Sequence, residues 1–394
     1  MLGALETLSG QAYGAQQYGK LGTQTYTSIF SLILACVPLT VLWVYMGKLL
    51  ALVGQDPLIS MVAGKLIMWL IPALYAYASL QPIVRFFQSQ SLIMPLLVSS
   101  CSTLCFHLLL CWALVFKCGL NGQGAALAIS ISYWTNVVSL GLYMMFSDTC
   151  STSLVPVSMD VFRGIREFFH FAIPSASMIC LEWWSFELLI IFSGFLRNPQ
   201  LETSVTSVCL ATMSALYPIP EGIRAAASTR VSNELGAGNQ RSARFAAFTA
   251  LTIAVLESVT VSAALVSSRH VFGYVFSNDK EVVSYVTDRA PLLAASVILD
   301  TLQAVLSGIA RGSGWKDLGA YINLAAYYLC GVPGSGVLGF WVQMRGEGLW
   351  IGIQSGALLQ ILLLSAITNC IDWHKQVWSV SIILFIPSSS YSVT

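Results

Sequence analysis

Glu182 stands in the stretch CLEWWSFELL and Asp300 in VILDTLQAVLSG. Each is a carboxylic acid inside a long apolar run, where an ionised group costs several kcal/mol unless it is paired or wet. The chemistry open to such a group is the binding and release of a proton or a cation. Glu182 lies at the centre of the run 168–197, and Asp300 lies ten residues from the end of the run 282–310. At about 1.5 Å per residue that is roughly 15 Å deep, so the two acids sit at matching depth. They predict a shared proton or cation site. The competing reading is a structural acid capped by Ser, Thr or Trp donors. Trp183, Trp184, Phe186 and Tyr217 are candidates for a cavity wall that stacks on aromatic or cationic ligands. Trp and Tyr are equally ordinary in a membrane-interface belt. Glu187 and Glu221 complete the candidate cavity set. Glu187 follows Glu182 by five residues, about 140° round a helix, and so faces elsewhere. Glu221 and Arg224 are spaced i, i+3 and can pair with each other. Glu257 is solitary in its run, and Glu6 lies in a short N-terminal segment.

Other chemistries find less support. GAQQYGKLG, Gly14 to Gly22, spells most of a phosphate-binding loop, but Leu21 stands where Mg²⁺ binding needs Ser or Thr, and no β-branched strand precedes it. The four His are scattered without metal-ligand spacing, so no metal site is expected. Most of the ten Cys lie inside apolar runs and read as small buried hydrophobes. No catalytic constellation is recognisable, so neither an enzyme nor an organic cofactor is expected. A net charge of +1 offers no basic field for nucleic acid.

The elements that must position these acids are membrane helices. The chain has 394 residues, 56% hydrophobic and 9% charged, with a mean hydropathy of +0.74. Soluble domains carry about 25% charged residues, so this composition implies an all-α polytopic membrane protein. Runs long enough to cross a bilayer fall near 25–47, 58–84, 91–116, 122–146, 168–197, 203–229, 244–267, 282–310, 317–342 and 348–370. The expectation is ten full spans plus a partial helix over 1–13.

An internal repeat organises them. YGAQQYGK matches LGAGNQRS at an offset of 222, LQPIVRFFQSQ matches LSGIARGSGWK at 226, pairing Arg85 with Arg311, and LNGQGAALA matches MRGEGLWIG at 224. The offset carries each span onto the sixth after it, so both halves enter the membrane in the same direction, a parallel repeat common among secondary transporters. It also recasts the Gly14–Gly22 stretch as a duplicated connector between helices. The domains expected are 1–146, an incomplete N-terminal lobe; 147–166, a connecting cytoplasmic loop; 167–370, a C-terminal lobe of six helices; and 371–394, a tail. Counting Lys and Arg in alternate loops gives ten against eight, which places the larger group, Lys20 and Arg85 among it, in the cytoplasm. The offset puts the partner of 168–197 before Met1, so an N-terminally truncated product or incomplete gene model is expected.

Five stretches carry a resemblance: ALETLSGQAYGAQQYGKLG, CLEWWSFELLIIFSG, AAASTRVSNELGAGN, ILDTLQAVLSGIARGSGWKDLGAYINLAAYYLCGVP and GLWIGIQSGALLQ. Together they resemble the plant-type multidrug and toxic compound extrusion (MATE) family, the DETOXIFICATION proteins, from Met1 to about Gln376. The resemblance implies twelve helices in two six-helix lobes around a central V-shaped cavity. It implies efflux of organic cations, xenobiotics or plant metabolites in exchange for protons, at the plasma or vacuolar membrane. It places the family's proton site on Glu182 and Asp300. The partners implied are a small-molecule substrate, protons and the lipid bilayer. Two departures stand out: the first helix and part of the second are missing, and VWSVSIILFIPSSSYSVT replaces the family pattern at the end. They keep a second reading open, a non-transporting isoform that associates with or titrates a full-length transporter.

Overall fold

The computed structural model describes residues 2–54, 56–196, 199–272, 274, 280–370 and 373–385. Among them the architecture is helical throughout. The order is α1 Leu2–Gly14, α2 Tyr18–Val44, α3 Met46–Leu52, α4 Pro57–Ser89, α5 Ile93–Trp112, α6 Asn121–Phe146, α7 Asp160–Ser193, α8 Pro199–Leu216, α9 Pro218–Gly236, α10 Gln240–Ser267, α11 Arg269–Phe272, α12 Lys280–Gly312, α13 Lys316–Asn323, α14 Val332–Gly336, α15 Arg345–Cys370 and α16 Trp373–Phe385. Local chemistry sets several of the boundaries. The Asp56 carboxylate accepts from the backbone N–H of Leu58 (2.8 Å) and Ile59 (3.2 Å) at the start of α4, where Pro57 has no N–H to leave unsatisfied. Within the helices, hydroxyls such as those of Thr25, Ser28 and Ser31 donate to the carbonyl four residues back, which satisfies them where no water is at hand.

Among the described residues, eight helices are long and apolar enough to cross a membrane: 18–44, 57–89, 93–117, 121–146, 160–193, 240–267, 286–312 and 345–370. The other two expected spans, 203–229 and 317–342, are segmented. The first is divided at Tyr217 into α8 and α9. Pro218 and Pro220 remove the two N–H groups that would bond the carbonyls of Ser214 and Leu216. The second is one helical run that widens to π geometry over Leu324–Gly331 and Val337–Trp341, on either side of α14 with its Pro333. A π turn shifts carbonyl register by one residue, and a proline demands such slack.

The repeat is written in the backbone. Apart from Gly54, the left-handed residues among those described pair: Gln16 (φ 59°) with Gly238 (73°), Ser91 (57°) with Gly314 (86°), Gly119 (67°) with Gln343 (62°), and Asn121 (49°) with Arg345 (54°). The pairs are 222, 223, 224 and 224 positions apart. The π stretch Ala113–Lys117 that extends α5 falls 224 positions before Val337–Trp341. Left-handed geometry is costly for a side chain, so its recurrence reports a shared turn design more securely than residue identity does. One landmark moves. The structural offset at the end of α4 and α12 is 223, so the pairing of Arg85 with Arg311 at 226 is one helical turn out of register. α2 then matches α10, α4 matches α12, α6 matches α15 and α1 matches the second half of α9, while α7 and α8 have no counterpart within the chain.

The chain forms two compact units, residues 16–170 and residues 3–15 with 171–394. The first holds α2 to α6, with α4 packed on α2 and α6. The second differs from the expected 167–370 lobe in taking α1 as well. α1 crosses its own repeat partner at glycines. A Cβ on Gly14 would strike the Asn233 carbonyl, and one on Gly236 would strike that of Gln11. The core of this unit gathers Leu189, Val286, Leu293, Val297, Tyr327 and Ile353. α15 approaches the run 316–341 through Gly348, Gly352 and Gly356, each of which faces backbone of that run at distances a side chain would block, the small-residue spacing that lets membrane helices pack closely.

Candidate functional site

α7, α8, α10 and α12 line a partly open cavity in the second unit. Glu182, Trp183 and Phe186 line it from α7, Met213 and Ser214 from α8, Tyr217 at the break between α8 and α9, Glu257 from α10, and Asp300, Thr301 and Gln303 from α12. The remaining wall is mostly apolar. An apolar lining with a few convergent polar groups is the attribute of a small-molecule site.

Both acids singled out by depth share this cavity. The Gln354 amide donates to Asp300 Oδ1 at 3.5 Å, and the Gln303 side chain bears on Glu182. Each carboxyl stands within electrostatic reach of the other. Behind them lies Tyr327, 1% exposed, on the first π stretch and in the field of both. Aromatic rings set the shape of the wall: Trp183 meets Tyr217 edge to face at 5.7 Å, and Phe186 packs on Tyr327 at 6.3 Å. Tyr217 turns into the chamber at the proline-made break, which ties the interrupted backbone to the site.

Three candidates lie elsewhere. Trp184 is adjacent to Trp183 but about 100° round the helix, and it is 60% exposed. Glu187 is exposed on another face of α7. Glu221 turns from the chamber to an ion network. Arg224 Nη1 and Nη2 grip both Glu6 oxygens at 2.8 and 3.0 Å, while Nε and Nη2 bond Glu221 at 2.6 and 2.5 Å. The Glu6 and Arg224 side chains are 1% and 3% exposed. Arg311 is buried beside them, so two arginines face two carboxylates and the network closes near neutrality. Among the described residues, neither Glu182 nor Asp300 has an ion pair within 4 Å; Arg311 and Arg224 reach Glu182 only through the longer-range field. Glu257, marked in the sequence as a solitary charge but kept out of the candidate cavity set, lies on the wall. Its signal was its solitude, one charge in an otherwise uncharged stretch from Phe245 to Ser268.

Long apolar helices in two repeat-related halves, with an acidic and aromatic chamber inside the second, define a multi-pass membrane transporter rather than an enzyme. The chain matches the MatE family over residues 1–113 and 174–337, and it belongs to that family. It is 60% identical to Protein DETOXIFICATION 14 of Arabidopsis thaliana over 95% of this chain and 77% of that protein. It is 57% identical to Protein DETOXIFICATION 12 of the same plant over 95% of this chain and 78% of that one. The crystal structure of the eukaryotic MATE transporter AtDTX14 superposes with a TM-score of 0.93 at 58% identity, covering 98% of this chain and 86% of that chain. A MATE crystallised in a bent conformation shares the fold at a TM-score of 0.81 and 14% identity, over 98% of this chain and 85% of the other.

Proposed function

We propose that this chain is a proton-coupled antiporter that exports organic cations, xenobiotics among them, or plant secondary metabolites, at the plasma or vacuolar membrane. Glu182 and Asp300 form its proton and cation site. The observation that carries this reading is the division of charge. Arg224 is engaged by Glu6 and Glu221 and Arg311 bears on Glu182 only at longer range, which leaves the two cavity acids, among the described residues, without a counter-cation within 4 Å. An ionised pair there attracts a cationic substrate and a protonated pair releases it, so proton and substrate exclude each other. Affinity for a cation therefore falls as the pH on the open side is lowered. Each pH unit of gradient supplies about 1.4 kcal/mol per proton, roughly a tenfold substrate gradient for one-for-one exchange. Trp183, Phe186 and Tyr217 add stacking surface for a flat or delocalised cation.

The test is uptake of a fluorescent cation into acid-inside vesicles carrying this chain. Glu182→Gln keeps shape and hydrogen bonding but cannot ionise, and it is expected to abolish gradient-driven uptake at unchanged protein yield. Asp300→Asn behaves alike, and the double variant is little worse than either single one, because groups acting as a unit are non-additive. Glu187→Gln retains most activity. Uptake that persists after the gradient is collapsed refutes proton coupling, and near-wild-type exchange by Glu182→Gln places the proton elsewhere.

A further inference from the structure

The start of α10 carries a stripe of residues that the exchange just described does not use. Arg241, Arg244, Phe248 and Leu251 follow one another at spacings of three, four and three, which keeps them within about 80° of one another round the helix. Two charges lead and two apolar side chains follow. Both arginines are exposed, at the end of α10 that the Lys and Arg count assigns to the cytoplasm. The Arg244 guanidinium lies over the Phe248 ring, 5.6 Å from its centroid. Arg163, Arg224, Arg230 and Arg289 each have an acid within 4.0 Å, whereas Arg241 and Arg244 have none among the described residues. At the 222 offset of the repeat the two positions fall on Gly19 and Gly22. The charges therefore belong to the second unit's own sequence and not to the duplicated frame.

The stripe leads into a groove. α10 and α15 each pack along α12, and the space they leave is lined by Phe248 and Leu251 from α10, Leu306 from α12, Ser365 and Asn369 from α15, and Trp373 from α16. Leu306 and Trp373 are buried, while Phe248 is 46% exposed beneath Arg244. Asn369 is exposed near the end of α15, and its amide has no partner among the described residues. From Arg241 to Leu251 the helix rises about 15 Å, half of a hydrocarbon core of about 30 Å. Charge and amide donors thus stand at the helix ends, and an apolar slot runs inward from them over the depth of one leaflet. That order of polarity is complementary to an anionic headgroup on an acyl chain. A soluble anion would use the charges and leave the slot unexplained.

We infer that this groove is a binding site for an anionic glycerophospholipid, with the phosphate held by Arg241 and Arg244 and one acyl chain lying along Phe248 and Leu251 over Leu306. The site shares no lining residue with the acidic chamber and does not rest on the reading of that chamber. Its floor residue, Leu306, lies on α12, the helix that carries Asp300, so the lipid packs against a helix of the transport site.

Native mass spectrometry of the full 394-residue chain, released from detergent with dioleoylphosphatidylglycerol or dioleoylphosphatidylcholine, tests it. The two lipids share their acyl chains and differ in net charge. The wild type is expected to bind the first about 25-fold more tightly, roughly fivefold for each arginine at a membrane surface. The double variant Arg241→Gln with Arg244→Gln changes only exposed side chains, and it brings the two affinities within about threefold. Arg230→Gln removes a cation that is already paired with Glu234, and it leaves the preference intact. Leu251→Trp, or Ser365→Leu should the first fail to fold, fills the groove and weakens both lipids at an unchanged size-exclusion peak. The inference is overturned by a wild type without the preference, by a preference that survives in the arginine double variant, or by an equal loss in Arg230→Gln. Lipid binding undiminished by the filled groove overturns the acyl slot. An arginine-dependent adduct of inorganic phosphate without lipid preference assigns the charges to a soluble anion, and an arginine-dependent dimer assigns the face to a second copy; either overturns it.

Discussion

Arg224→Gln probes the ion network that secures α1. The Arg224 guanidinium makes four hydrogen bonds, two to Glu6 and two to Glu221, and its side chain is 3% exposed. Glutamine keeps some polarity but strips the charge, and it leaves the Glu6 carboxylate, 1% exposed, without its bidentate partner. Removing one member of a buried pair costs about 3–5 kcal/mol, because the survivor keeps its desolvation penalty. The reverse change, Glu6→Gln, is milder. Arg224 still holds Glu221, a carboxylate 36% exposed, so the loss is on the order of 1–3 kcal/mol. In Glu6→Gln with Arg224→Gln no charge is left stranded on α1, and the double variant is expected to be more stable than the sum of the singles by about 1–3 kcal/mol. The assay is thermal unfolding in detergent with residue-resolved thiol labelling. Cys209 is buried in the same unit as the network, and Cys36 and Cys150 are buried in the other. At roughly 2 °C per kcal/mol, Arg224→Gln lowers the midpoint of Cys209 exposure by about 6–10 °C. A shift under about 2 °C, or strict additivity in the double variant, would show that the network does not hold α1 as described.

Other outcomes follow from the packing and the wall. Gly352→Leu drives a side chain into the Ser335 backbone and is expected to abolish the folded peak in fluorescence-detected size exclusion. Gly141→Ala, where a Cβ meets nothing within 4 Å, leaves the peak unchanged. Trp183→Ala weakens binding of a monovalent aromatic cation by about 3- to 30-fold, the span of cation–π energies from exposed to desolvated sites. Trp184→Ala changes it less than twofold, and equal losses in the two would refute the assignment of the wall. In the wild type, affinity for such a cation falls as pH is lowered, and Asp300→Asn flattens that dependence in an equilibrium titration.

What the linear chain determined was whatever depends on neighbours close in sequence or on comparison of the chain with itself. Apolar runs of bilayer length are local, so eight of the ten expected spans appear as single long helices, while prolines segment 203–229 and 317–342. The repeat is a comparison at fixed offset, and it survives into the structure as paired left-handed turns and paired π stretches. The depth of Glu182 and Asp300 is a distance along a helix, and the structure brings both to one chamber. Only the tertiary structure decided which charges cancel and which remain. Glu6 meets Arg224 across 218 positions, so nothing local to the first helix marks it as a structural acid. Glu221 is equally close in sequence to the Tyr217 wall and to Arg224, and the guanidinium wins because two charge-assisted bonds outweigh a place on an apolar surface. Glu257 reaches the chamber because α10 packs on α12 beside Thr301, 44 positions away. Trp183 and Trp184 are neighbours in sequence and a quarter turn apart in space, and only the packing of α7 shows which of them faces the cavity. A charge buried in a membrane protein is defined by what stands across from it, and partners on other helices are set by packing that no single stretch of sequence contains.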